Sequence, residues 1–143
     1  MYKKILVPLD GSELAEKALK HAHTLAQSLH AEIVLLRVIV FITRDYDVIP
    51  MEGAVSDEVI ADAKRYLERA AGDLRRLGLK VTTQVNSGHV ADTIIDYSEK
   101  HEVDLIVMST HGRTGPARWL IGSVADRVVH GGQVPVLLVR TKR

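Results

Sequence analysis

Short unbroken apolar runs alternate along this chain with longer stretches whose apolar residues recur every three or four positions. The first run, Ile5, Leu6, Val7 and Leu9 within residues 4–9, is continuous enough for a strand covered on both faces. Asp10, Gly11 and Ser12 then turn the chain into a predicted helix, with Ser12 as its N-cap and Glu13 and Glu16 in the first turn, where a helix dipole favours negative charge. The core face of that helix is predicted at Leu14, Ala18, Ala22, Leu25 and Leu29. Residues 33–40 form a second continuous run. Ile60, Ala63, Leu67, Ala70, Leu74 and Leu77 are then spaced 3, 4, 3, 4, 3, an amphipathic helix ended by Gly78. Residues 80–86 alternate Val81, Thr83 and Val85 with Lys80, Thr82 and Gln84, the pattern of an edge strand with one wet face. Val90, Ala91, Ile94, Ile95 and Ser98 line a third helix.

The stretch at residues 103–127 organises the rest. Residues 105–108 are a buried-strand run, followed by a loop carrying Gly112, Gly115 and Pro116. Past Gly122, the residues Val124, Val128 and Val129 return to helical spacing, so Ser123 is predicted as the N-cap of a fourth helix. Strand, glycine loop and helix start can form an anion cradle: free amides and the positive dipole end converge, with Arg113 and Arg118 adding charge. The same three parts also build an ordinary parallel-sheet connection, and neither G-x-x-x-x-G-K-[ST] nor a G-x-G-x-x-G after the first strand is present. Residues 134–139 close the chain as a fifth strand. Strands and helices that alternate in this way predict an α/β domain with a parallel sheet, right-handed crossovers and helices on both faces.

Length and composition narrow the picture. A chain of 143 residues, 46% of them hydrophobic, can bury a core as one domain without metal or disulfide. The absence of cysteine fits a reducing compartment. The apolar run after Lys3 and Lys4 ends at Pro8 and Asp10 and reads as a strand rather than a secretion signal. No run approaches the roughly 20 apolar residues of a membrane span, so no membrane partner is expected. A net charge of +1 with interspersed signs gives no broad reason to expect nucleic acid, and only the tail at residues 140–143 is locally basic.

Ser109, Thr110, His111 and Gly112, nine residues, then Gly122 and Ser123 resemble the nucleotide-binding signature G-x-x-G-x9-G-[ST] of the universal stress protein family. The beginning of the chain, Lys4 to Ser12, and its end, Val134 to Val139, are also similar to that family, so the resemblance spans essentially the whole chain. The departure is Ser109 in place of the first glycine. The resemblance implies a single-domain, Rossmann-like open sheet of five parallel strands in the order 3-2-1-4-5, in which ligands bind outside the strand carboxyl ends where the winding reverses, between strands 1 and 4. It implies that Pro8, Leu9 and Asp10 flank a nucleoside, that Val38 offers backbone groups to an adenine edge, and that Met108 and Ser109 sit by the ribose. Gly112, Gly122, Ser123 and Val124 would surround the phosphates of ATP, with Mg2+ arriving on those phosphates. The residues alone agree on the phosphate end and say nothing of adenine.

Other chemistry is thinly represented. Asp10 can serve as a catalytic carboxylate, a metal ligand or a turn former. The seven histidines lie on five segments without i, i+4 pairing, and only His111 falls in the proposed site, so no dedicated metal site is expected. No cysteine and no G-x-S-x-G elbow offers a nucleophile. Trp119 and Leu120 read as an apolar anchor for the glycine loop or as a partner patch, and residues 41–55 as a cover over a pocket, a partner contact or packing on the domain itself. Val136, Leu137, Leu138 and Val139 are apolar on both faces of an expected sheet edge, which a second copy would cover, and the resemblance implies such a homodimer. The expectation is a cytoplasmic, ATP-binding stress or signalling module. The alternatives are an interaction module of the same fold without nucleotide, kept open by Ser109, and a slow ATP hydrolase.

Overall fold

In the computed structural model, residues 1–40, 56–111 and 121–141 are described. Their elements run β1 (Lys4–Pro8), α1 (Glu13–Leu29), β2 (Glu32–Ile39), α2 (Asp57–Arg76), β3 (Val81–Ser87), α3 (Val90–Lys100), β4 (Leu105–Ser109), α4 (Ser123–Gly131) and β5 (Val136–Val139). The five strands form one parallel sheet in the order β3-β2-β1-β4-β5, as expected. β1 is its centre, with Ile5, Leu6 and Val7 wholly buried. It pairs with β2 on one side and with β4 on the other, where Ile5 meets Leu105 and Leu6 meets Ile106.

Alternation along each strand sends successive side chains to opposite faces, and two cores result. Ile5, Val7, Ile33 and Leu35 pack beneath Ala18 and Ala22 of α1 and Leu67 and Ala71 of α2. Leu6, Val34, Leu36 and Val38 pack beneath Ile94 of α3 and Val128 of α4. The continuous apolar runs of the sequence are thus strands covered on both sides. β3, at one edge, keeps the wet face its alternation predicted: Val81 is buried while Thr82 and Gln84 are exposed.

The predicted face of α1 needs correcting. Its buried ridge is Ala15, Ala18, Ala22 and Ala26, whereas Leu14 and Leu25 lie at the flanks and Leu29 is 42% exposed. Alanines on the contact line let the helix lie close to the sheet, which a row of leucines would hold apart. In α2 the buried residues are Ala63, Leu67, Ala71 and Leu74, and Leu77 lies past the helix end, exposed. Gly78 does end that helix, at φ +89°, a conformation that disfavours any side chain. Ser12 is the N-cap of α1 as expected, its hydroxyl accepting the Ala15 N–H at 3.1 Å.

At the start of α4 the cap is Gly122, and Ser123 is the first helical residue, one position later than predicted. Serine is the commoner cap, but the space at residue 122 decides against a side chain. A Cβ there would lie 2.9 Å from the Thr110 carbonyl oxygen. β5 begins at Val136 and, among the described residues, pairs only with β4, so it is the second edge of this sheet, and Leu137 is exposed upon it.

Candidate functional site

The strands' carboxyl ends open into a cavity of about 540 Å³ across the reversal between β1 and β4. Pro8, Leu9 and Asp10 reach it from the end of β1, Val38 from β2, Met108 and Ser109 from β4, and Gly122, Ser123 and Val124 from the start of α4. Nine of the ten residues picked out in the sequence therefore line one cavity, although β1 and α4 are more than 100 residues apart in the chain. The tenth, Gly112, lies outside the described residues, as do Arg113, Arg118, Trp119, Leu120 and the whole of residues 41–55.

Asp10 is built into the turn that connects β1 to α1. Its Oδ1 accepts the Ser12 N–H at 2.9 Å and the Ser12 hydroxyl at 2.5 Å, and Ser12 passes the chain on through its own cap bond. Gly11 between them sits at φ +87°, where glycine is the natural choice. Of the three roles open to Asp10, the turn is the one whose hydrogen bonds this geometry displays. The carboxylate stays part-buried at the cavity wall.

Ser109 ends β4 with its side chain turned toward α1. Its hydroxyl donates to the Leu14 carbonyl at 2.5 Å, with the Ala15 carbonyl at 3.3 Å, and the residue is 7% exposed. Ser109 is not among the positive-φ residues, so serine carries no backbone strain here. Thr110 continues the strand by one bond, its N–H donating to Val139 O at 2.9 Å, while its own carbonyl accepts the Gly122 N–H at 2.6 Å. Those contacts pin the start of α4 to the end of β4. Among the described residues no side chain caps the first turn of α4, whose amide end borders the cavity, as an anion-binding surface would.

His111, expected in the site, lines the cavity with Thr110 from beyond β4. The structure adds residues that periodicity could not connect to the site: Val59, Asp62 and Ala63 from α2, Arg37, Ile39 and Val40 from the end of β2, and Val90 and Ile94 from α3. The advance signal for these was position: each stands at a strand's carboxyl end or in a helix turn that follows one. The Arg37 guanidinium lies 5.9 Å from the Tyr66 ring centroid. Burial, reinforced by the nearby charges of Glu16 and Asp10 and opposed by Arg37 and the Gly11 amide, pushes the Tyr66 hydroxyl up to about 12. Among the described residues no group of three or more His, Cys, Asp or Glu could hold a metal ion. Among the described residues the cavity thus offers apolar walls, an amide-rich helix end and the titratable side chains of Asp10, Arg37, Asp62 and His111, an arrangement that can hold a partly apolar anion.

Comparison with known proteins accords with this architecture. The family model described as "Universal stress protein family" matches residues 1–140. The chain is 35% identical over 143 residues to Universal stress protein MJ0531 of Methanocaldococcus jannaschii, covering 98% of this chain and 83% of that protein. It superposes on the solved structure of hypothetical protein MJ0577 from the same organism with a TM-score of 0.85 at 32% identity, covering 100% of this chain and 99% of that one. A universal stress protein from Archaeoglobus fulgidus, solved in complex with dAMP, shares the fold with a TM-score of 0.73 at 24% identity, covering 96% of this chain and 97% of that one.

Proposed function

The chain belongs to the universal stress protein family, and from that premise we propose that it binds ATP in the cavity at the strand ends as a nucleotide-responsive stress or signalling module. The observation that carries the reading is the convergence on one cavity of Pro8, Leu9, Asp10, Val38, Met108, Ser109, Gly122, Ser123 and Val124. Its volume, about 540 Å³, falls within the range of roughly 300–1,000 Å³ usual for small-molecule sites. In this reading adenine lies between the ends of β1 and β2, the ribose by Met108 and Ser109, and the phosphates on the amides of Ser123 and Val124. The dAMP complex of the Archaeoglobus fulgidus protein supports a nucleotide in this fold.

Mg2+ fits this arrangement as a passenger. With no carboxylate cluster among the described residues, the phosphate oxygens and water would supply most of its ligands, the usual manner of Mg2+ binding. When bound it neutralises phosphate charge. The two hydroxyl–base pairs at the cavity, Ser12 with Asp10 and Thr110 with His111, are tied into the β1–α1 turn and the end of β4, which supports a binding module over an ATP hydrolase. The engagement of the Ser109 hydroxyl with the Leu14 carbonyl of α1 supports nucleotide binding over an interaction module without nucleotide.

The rest of the reading is a cytoplasmic homodimer joined through Val136, Leu137, Leu138 and Val139. It is supported by the edge position of β5 and the exposure of Leu137. No helix among the described residues is long and apolar enough to cross a membrane. Calorimetric titration with ATP in the presence of Mg2+, beside mass spectrometry of any small molecule released on denaturation, tests the nucleotide reading. Micromolar binding is expected. Protein that releases no nucleotide and takes up no ATP would overturn it.

A further inference from the structure

His111 is a buried histidine with half of its ring unaccounted for. It is 7% exposed, and it stands where β4 gives way to the glycine loop, lining the cavity. Nδ1 lies 3.3 Å from the Thr110 hydroxyl. That hydroxyl accepts the Thr141 N–H at 3.3 Å and stands 3.4 Å from Thr141 Oγ1. Nε2, at the opposite corner of the ring, is shielded from solvent and has no hydrogen-bond partner among the described residues. Buried polar atoms in native proteins are seldom left so, and on a residue that lines a cavity a bound group is the natural partner.

The orphaned nitrogen is close to the start of α4. A Cβ on Gly122, the N-cap of α4, would stand 3.7 Å from His111 Cδ2, the ring carbon bonded to Nε2. The ring edge and the first amides of α4 thus border the same part of the cavity. Thr110 can set the tautomer: when its hydroxyl donates to Nδ1, the neutral ring must carry its proton on Nε2. Nε2 then becomes a donor beside other donors, and the group that satisfies all of them is an anionic oxygen.

We propose that His111 is a ligand-contacting residue of this site, its Nε2–H donating to a phosphoryl oxygen of the nucleotide seated on the start of α4. The assignment rests on the nucleotide reading above and adds a side-chain donor to the backbone amides of Ser123 and Val124. It also gives a reason for the Thr110–Thr141 contact, which holds the hydroxyl that orients the ring.

The test compares wild type with His111→Phe, which keeps a ring without nitrogen, and His111→Gln, which restores an N–H donor. Each is titrated calorimetrically with ATP, inorganic triphosphate and adenosine, after a thermal melt has verified folding. The phenylalanine variant is expected to lose about tenfold in affinity for ATP and for triphosphate, with adenosine unchanged and the glutamine variant within about threefold of wild type. Equal ATP affinity in wild type and His111→Phe overturns the assignment, and so does an equal loss toward adenosine, which marks a packing role. Wild type that binds neither ATP nor triphosphate sinks the nucleotide reading itself, and this inference with it. Should His111→Phe not fold, nitrogen-15 NMR of wild type decides: the Nε2 resonance of His111 is expected to move with ATP and triphosphate but not with adenosine, and a resonance indifferent to all three refutes the contact.

Discussion

Replacing Gly122 by alanine adds one methyl group at the point where α4 is pinned to β4. The backbone there, φ −71° and ψ 162°, suits alanine as well as glycine, so no dihedral strain enters. Space is the obstacle. The new Cβ would stand 2.9 Å from the Thr110 carbonyl oxygen, the same atom that accepts the Gly122 N–H at 2.6 Å. Relief requires the helix start to retreat and that hydrogen bond to lengthen. Overpacking of this kind costs about 1–3 kcal/mol, and alanine is a poorer cap than glycine by roughly a further 0.5–1 kcal/mol. A stiffer unfolded chain returns about 0.4–1 kcal/mol. The net is a loss of about 2 kcal/mol, which at about 3 °C per kcal/mol for a chain of this length lowers the melting temperature by about 6 °C. Calorimetric melting without nucleotide measures it, and an ATP titration measures the accompanying displacement of the Ser123 and Val124 amides. A melting temperature within about 1 °C of wild type would refute the contact. Unchanged melting with lost ATP affinity would instead mean that glycine is needed for the ligand's own approach, as the signature alone suggested.

Ser109→Ala removes the hydroxyl bonded to Leu14 O and is expected to cost about 1 kcal/mol in urea denaturation while leaving ATP affinity within about twofold; a large affinity change would make the hydroxyl a ligand contact. Leu137→Lys places a charge on the exposed residue of β5, where Leu138 packs against the core and would confound the result, and should yield monomers in sedimentation; an unaltered dimer would move the interface elsewhere. ATP turnover should lie well below the typical enzyme value of about 10 per second, and turnover in that range abolished by Asp10→Asn would replace the binding-module reading with a hydrolase. Because Tyr66 holds its proton up to about pH 12 in the folded chain and to about 10 when unfolded, the folded state binds more protons between those values, and stability falls as pH rises through that window. Tyr66→Phe should flatten this alkaline slope in melts at rising pH, leaving the smaller part owed to the raised Tyr97; an unchanged slope would discount the burial of Tyr66.

Much of the molecule is legible in the chain because buried parallel strands are simply continuous apolar runs, and the helices between them repeat at 3 and 4. The strand order came from family resemblance, since periodicity does not say which strands pair. Where the residues misled, the cause was packing distance. Hydropathy ranks leucine above alanine, so Leu14, Leu25 and Leu29 stand beside the correctly expected Ala18 and Ala22 where the sheet takes Ala15 and Ala26. Cap preference likewise chose Ser123 over Gly122, because a carbonyl two segments away cannot be seen in local sequence. The strand-end residues of the site were legible as a group; Val59 and Asp62 were not, because α2 meets the cavity only through the tertiary arrangement.

The pairing of β1 with β4 also sets a timetable for the newly made chain. β1 finds β2 within a few dozen residues, but its other edge waits for Leu105 and Ile106. At the ribosome's pace of roughly 5–20 residues per second, about 5–20 s separate the emergence of Pro8 from that of Ser109. Throughout that interval the middle strand of the finished sheet is an open edge, apolar on both faces, and the half-made protein is exposed to mispairing with its neighbours. Nucleotide cannot shorten the delay, because a ligand stabilises only the species that binds it, and the pocket does not exist until the two ends of the chain have met.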